Sequence, residues 1–108
     1  MSPNAKRIIE SERVKNYISI ASLWEIAIKV SLNKLELKTP FSEVLGQIEK
    51  NNFDILPIGF EDTLVVSALP FHHRDPFDRV IAAQCLNNNF ELISIDAIFS
   101  KYKVKRIW

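Results

Sequence analysis

The sequence predicts an α/β domain: a parallel sheet flanked by helices on both faces. Two patterns carry that expectation. Short β-branched runs at 17–21, 53–58 and 90–95 alternate with segments whose apolar residues recur at helical spacing, and those segments begin and end with capping residues. Composition is the third observation, because 108 residues that are 47% hydrophobic and 25% charged supply one core, so a single domain over 1–108 is expected.

Ser2-Pro3-Asn4-Ala5 reads as an N-cap with proline at the first helical position, and Ala5, Ile8 and Ile9 share a face of a short helix ending near Arg13. Tyr17-Ile18-Ser19-Ile20-Ala21 predicts a strand. Ser22 is the expected cap of the next helix, in which Leu23, Ile26, Ala27 and Val30 fall at i, i+3, i+4, i+7. Pro40 precedes a helix carrying Phe41, Val44, Leu45 and Ile48, and Phe53 to Ile58 reads as a strand with Pro57 near its end. Leu64, Val65, Ala68 and Leu69 mark another helical stripe. Asp75 is read as the cap of a helix with Pro76 at its first position, Phe77, Val80, Ile81 and Cys85 inward, and Asn87-Asn88-Asn89 closing it. Phe90 to Ile95 is the clearest strand, Asp96 ends it, a short helix runs through Phe99 and Tyr102, and 104–108 supplies an edge strand. No internal repeat, low-complexity tract or linker supports a second domain.

Several function classes drop out. Only Gly46 and Gly59 are glycines, so neither a P-loop nor a dinucleotide fingerprint can be written, and no HExxH or paired-cysteine zinc spacing occurs. The single Cys85 forms no internal disulfide and no stretch is apolar enough for a bilayer span or signal peptide, so a cytoplasmic address without membrane contact is expected. With 14 Lys/Arg against 13 Asp/Glu, any nucleic-acid contact must rest on a local patch.

Ligands of parallel sheets bind beyond the carboxyl ends of the strands, which directs attention to acids at strand ends and helix starts. Glu25 is expected in the first turn after strand 17–21, Asp78 in the first turn of the helix before strand 90–95, and Asp96 at that strand's end. Helices antiparallel to the strands they join would bring all three to one sheet edge. Gathered carboxylates repel one another unless a cation compensates, and oxygen-only ligation suits Mg²⁺ or Mn²⁺, which activates water for attack on a phosphodiester. A structural reading stands beside this one: Ser22 to Glu25 and Asp75 to Asp78 fit capping boxes, and Asp96 fits an N-cap.

Ser22-Leu23-Trp24-Glu25-Ile26-Ala27-Ile28-Lys29, Lys34-Leu35-Glu36-Leu37, Leu69-Pro70-Phe71-His72-His73-Arg74-Asp75-Pro76-Phe77-Asp78-Arg79 and Ile93-Ser94-Ile95-Asp96 together resemble, in order and spacing, the signature of VapC-like PIN-domain proteins. The final Trp108 also matches. The resemblance implies a PIN fold and a Mg²⁺- or Mn²⁺-dependent endoribonuclease, the toxin of a type II toxin-antitoxin system. It further implies an RNA substrate, a small antitoxin partner and a homodimer. Glu25, Asp78 and Asp96 match three of the family's four acidic positions, as catalytic and metal-binding residues. The fourth ends a strand, in a Leu-Leu-Asp-Thr-His-like motif, before the helix to which Ser2-Pro3-Asn4-Ala5-Lys6 corresponds. Here the first aspartate is Asp54. The resemblance therefore implies a domain incomplete at its N-terminus, lacking the first central strand and first catalytic aspartate, with impaired activity. The alternative is a catalytically dead remnant acting as an antitoxin-binding or dimerisation module. A receiver-like phosphoacceptor would need an aspartate ending an early central strand, which is absent.

Other residues carry smaller expectations. His72 and His73 read as solvated or loop-supporting rather than metal-binding, and Arg74 and Arg79 as phosphate ligands or partners of Asp75 and Asp78. Cys85 is assigned to the core. Lys101, Lys103, Lys105 and Arg106, interleaved with Tyr102 and Trp108, form a basic-aromatic cluster that either contacts RNA or is a solvated terminal segment. Trp24, slightly off its helix's apolar stripe, is expected to be buried, the other reading being a partner surface.

Overall fold

The computed structural model describes residues 1–72 and 74–108. In chain order the elements are α1 (Pro3–Glu10), β1 (Asn16–Ser19), α2 (Ile20–Ser31), a 3-10 turn (Phe41–Glu43), α3 (Val44–Lys50), β2 (Phe53–Leu56), α4 (Phe60–Ala68), α5 (Pro76–Asn88), β3 (Leu92–Ile93), a 3-10 helix (Ala97–Tyr102) and β4 (Arg106–Ile107). This is the mixed α/β class with parallel strands that the alternating patterns predict. The chain divides into two compact units, residues 15–57 and residues 1–14 with 58–108, and each holds a two-stranded parallel ladder. No helix among the described residues is long and apolar enough to cross a membrane.

In the 15–57 unit, β1 pairs with β2 from Asn16 opposite Phe53 to Ser19 opposite Leu56. The next position would set Ile20 against Pro57, which has no N–H for the ladder, so the strand stops there. The chain turns straight into α2, and Ser19, not Ser22, is the cap: its hydroxyl accepts from the Ala21 amide at 3.1 Å. The helix therefore starts earlier than its apolar periodicity suggests. Lys15 and Asp54 pair at 3.0 Å across the strands, an exposed bridge of small energetic weight. α3 buries Ile48 but leaves Leu45 half exposed.

In the other unit, α1 opens as predicted, with Ser2 Oγ accepting from the Ala5 amide at 3.1 Å and Pro3 in the first turn, but it ends at Glu10. α4 and α5 form an antiparallel pair clamped at both ends. Near the start of α4, Asp62 is 5% exposed; it accepts from the Gly59 amide at 2.8 Å and from Asn87 Nδ2, near the end of α5, at 3.1 Å. At the other end Arg79, 7% exposed, donates to the carbonyls of Pro70 (3.0 Å), Val66 (3.3 Å) and Leu69 (3.3 Å). The Phe71 ring lies 4.1 Å from its guanidinium carbon. Of the predicted stripe on α4, Val65 and Leu69 are half-buried, whereas Leu64 and Ala68 are exposed.

Asp75 caps α5, accepting from the Phe77 amide at 2.8 Å and the Asp78 amide at 3.3 Å, and Asn89 closes the helix in the left-handed region at φ 56°. α5 is buried beyond its predicted stripe, because Ala82, Ala83 and Gln84 join Cys85 inside. Ala82 and Cys85 pack with Phe99, Tyr102 and Val104 into the main cluster, bordered by Leu69, Ile81, Leu86, Phe90, Leu92 and Ile98. β3 is shorter than the run 90–95 suggests: Phe90 is spent on the end of α5, its amide bonding the Cys85 carbonyl at 2.9 Å, and the ladder with β4 pairs Leu92 and Ile93 and ends where the Ser94 amide donates to the Ile107 carbonyl at 3.2 Å. No buried side-chain nitrogen or oxygen among the described residues lacks a partner.

Replacing Arg79 with methionine removes its three hydrogen bonds to carbonyls, of which those of Val66 and Pro70 keep amide donors from Leu69 (3.2 Å) and His72 (3.1 Å), and is expected to lower unfolding free energy by about 1–3 kcal/mol in urea titrations. Arg79→Lys should recover only part of the loss, since one ammonium lacks the planar fork. A loss under about 0.5 kcal/mol in Arg79→Met, the scale of neutral surface changes, would show the clamp to be dispensable.

Burial also pushes the Cys85 thiol up to about 11 from its ordinary 9.0. The unfolded thiol ionises first on alkalinisation, so the stability this proton confers is complete below pH 9 and declines as pH rises towards 11. Denaturation midpoints should fall more steeply over that window in the native chain than in Cys85→Ala. Parallel curves would contradict the assignment.

Candidate functional site

Asp78 lies in the first turn of α5 and is half-buried, held there by the Asp75 cap and by Pro76 in the same turn. Asp96 is exposed and is the N-cap of the 3-10 helix, its Oδ1 accepting from the Ile98 amide at 3.0 Å, while its own amide donates to Ser94 Oγ at 3.1 Å. The two belong to one unit, and the helices they open pack on the same cluster, α5 through Ala82 and Cys85 and the 3-10 helix through Phe99 and Tyr102. Glu25 belongs to the 15–57 unit. Because α2 starts at Ile20, Glu25 falls in its second turn, clear of any capping box with Ser22, and its carboxylate is 3.8 Å from Lys29 one turn on.

These are the carboxylate donors a hard divalent ion requires. Among the described residues, however, no three His, Cys, Asp or Glu side chains are gathered closely enough to hold one ion. The donor chemistry fits a divalent metal, and the grouping of three ligands is not part of the described arrangement.

Arg79 pairs with neither Asp75 nor Asp78; its N–H groups go to the backbone carbonyls of Val66, Leu69 and Pro70, just ahead of α5. His72 is exposed and stands edge-on to the Tyr102 ring, with centroids 5.1 Å apart, which joins the loop entering α5 to the 3-10 helix. His73 lies outside the described residues. Tyr102 is 3% exposed and so cannot stack on a base, whereas Trp108 is 40% exposed. Lys105 pairs with Glu91 at 3.2 Å, and Arg106 Nη1 donates to the carbonyls of Ser94 (3.0 Å) and Ile95 (3.4 Å), the turn that carries Asp96. Trp24 is 59% exposed rather than buried. Asp62 is the buried acid that sequence reasoning misses. Its signal is an acid three residues after Gly59, half of a capping box whose cap lacks a side chain.

A comparison with protein-family profiles matches the PIN domain over residues 2–105, nearly the whole chain. The chain belongs to the PIN domain family. Members of this family are in general metal-dependent nucleases. Neither the curated proteins nor the solved structures compared with the chain gave a match.

The Asp75 carboxylate caps α5, and a conservative pair of variants separates that role from one that depends on its charge. Asp75→Ala is expected to destabilise by about 1 kcal/mol, whereas Asp75→Asn, an equally good cap, should stay within a few tenths. Equal losses in both, read by thermal unfolding, would mean that charge and not capping geometry matters.

Proposed function

We propose that this protein is a VapC-type PIN ribonuclease, the toxin of a type II toxin-antitoxin pair, cleaving RNA phosphodiester bonds with Mg²⁺ or Mn²⁺. The observation that carries the reading is membership of the PIN family over residues 2–105, joined to acids placed at the openings of α5 and the 3-10 helix. Glu25, Asp78 and Asp96 are the residues proposed to hold the ion and to act in catalysis. When bound, the ion lowers the pKa of water and neutralises charge developing on the phosphate. The chain's own contribution is to hold the Asp96 turn through Ser94 and Arg106 and the start of α5 through Asp75 and Arg79. A cytoplasmic, homodimeric protein inhibited by a small antitoxin completes the proposal.

A second reading is favoured by one feature of α2. Ile20, Trp24, Ile28 and Leu32, spaced four apart, are 36%, 59%, 37% and 57% exposed, an apolar row suited to a protein partner. In that reading the chain is a catalytically silent antitoxin-binding or dimerisation module.

Mn²⁺ is expected to raise the thermal unfolding midpoint of the chain, and the combined Glu25→Gln, Asp78→Asn and Asp96→Asn variant to abolish that rise. The same variant should cut a single-stranded RNA at least about 100-fold more slowly, the scale on which small misplacements of reacting groups act. An undiminished Mn²⁺ effect in the triple variant would remove these acids from the site. A folded chain that cuts no RNA with either ion would leave the binding module as the function.

A further inference from the structure

The cations of this unit are not equivalent. Lys105 is tied to Glu91, and Arg79 is enclosed by carbonyls and Phe71. Arg106 differs from both. It sits on β4, in register with Leu92 of β3, and its half-buried side chain extends past the carboxyl end of β3 to the carbonyls of Ser94 and Ile95. Both bonds use Nη1. Among the described residues, Nε and Nη2 have no hydrogen-bond acceptor, and no carboxylate lies within ion-pairing distance of the guanidinium.

A guanidinium held this way is pre-organised. Two carbonyls fix its position, so little side-chain freedom is left to lose on binding, while its planar fork keeps N–H groups that match two oxygens of one anion. Its location is the edge of a parallel ladder beyond which ligands bind, and the next residue after its second carbonyl partner is Asp96. A cation with no carboxylate partner, fixed beside an exposed acid of the candidate site, is completed by an anion of the substrate.

From this geometry we infer that Arg106 is a phosphate-binding residue of the nuclease site, gripping a backbone phosphodiester of single-stranded RNA next to Asp96. The inference rests on the nuclease reading and adds a substrate contact that the acids do not supply. Lys101 and Lys103, exposed on the same segment, contribute only general attraction.

The test measures binding apart from cleavage. Fluorescence anisotropy with a labelled single-stranded oligoribonucleotide in EDTA, where the RNA stays whole, is run across a salt series for the wild-type chain, Arg106→Gln and Arg106→Lys. Arg106→Gln is expected to bind about tenfold more weakly, with the slope of log affinity against log salt reduced by about 0.7, the value for one phosphate on a single strand. Arg106→Lys keeps the charge and should keep the slope while losing part of the affinity. If Arg106→Gln binds with unchanged affinity and slope, Arg106 is only a staple of the 94–95 turn and the inference is overturned, while RNA cleavage by the wild-type chain would leave the nuclease reading standing. Should Arg106→Gln fail to fold, the decisive measurement moves to the wild-type chain: the Arg106 Nε–Hε resonance must shift on RNA titration, and a stationary resonance overturns the inference. A wild-type chain that neither binds nor cuts RNA defeats the nuclease reading itself, and this inference with it.

Discussion

The α4–α5 pair is held by a buried cation and a buried anion at opposite ends, and the larger unit depends on that arrangement. Arg79 binds three carbonyls where α4 ends; Asp62 binds Asn87 where α5 ends. Among the described residues, neither charge is paired with an opposite side-chain charge. Carbonyl dipoles at a helix C-terminus favour a cation, and amides at a helix N-terminus favour an anion, so each charge sits at the helix end whose polarity suits it. With both ends fixed, α5 cannot slide along α4. The Asp75 cap, Asp78 and the inner face of Ala82 and Cys85 are consequently set relative to Phe99 and Tyr102.

That constraint reaches the candidate site through backbone rather than through the acids themselves. Asp75 turns the chain into α5 and thereby places Asp78. Ser94, from its hydroxyl, and Arg106, from its guanidinium, hold opposite polarities of the turn before the 3-10 helix and thereby place Asp96. His72 against Tyr102 links the loop entering α5 to the helix opened by Asp96. Acids at helix starts serve capping and ligation with the same atoms, so a capping role for Asp96 does not argue against a functional one.

How far the sequence could be read varies with the range of the interaction that decides each feature. The start of α1 at Ser2 and Pro3, the cap at Asp75 and the closing Asn89 were all legible, because each is completed by atoms within a few residues. Apolar periodicity places the start of α2 three residues late, because its determinant, Pro57 opposite Ile20, lies far along the chain. Sequence proximity points Arg79 to Asp75 and Asp78, yet its partners are the carbonyls of Val66, Leu69 and Pro70. Tyr102 and Trp24 exchanged expected roles, the tyrosine entering the core and the tryptophan remaining outside.

Taken alone, the sequence determined the α/β class, the order of helices and strands, the local caps and, through the motif around Asp75 to Arg79 and the Ile93 to Asp96 run, the PIN family. These depend on spacing and on contacts a few residues long. Tertiary structure alone decided the lengths of the strands, the burial of Asp62, Arg79 and Gln84, and the pairing of Arg106 with the carbonyls of Ser94 and Ile95. Strand length needs a partner strand, and the burial or pairing of a charge needs groups brought from 10 or more residues away, as with Arg79 and Leu69. Such partners are selected by packing, and no local pattern encodes them.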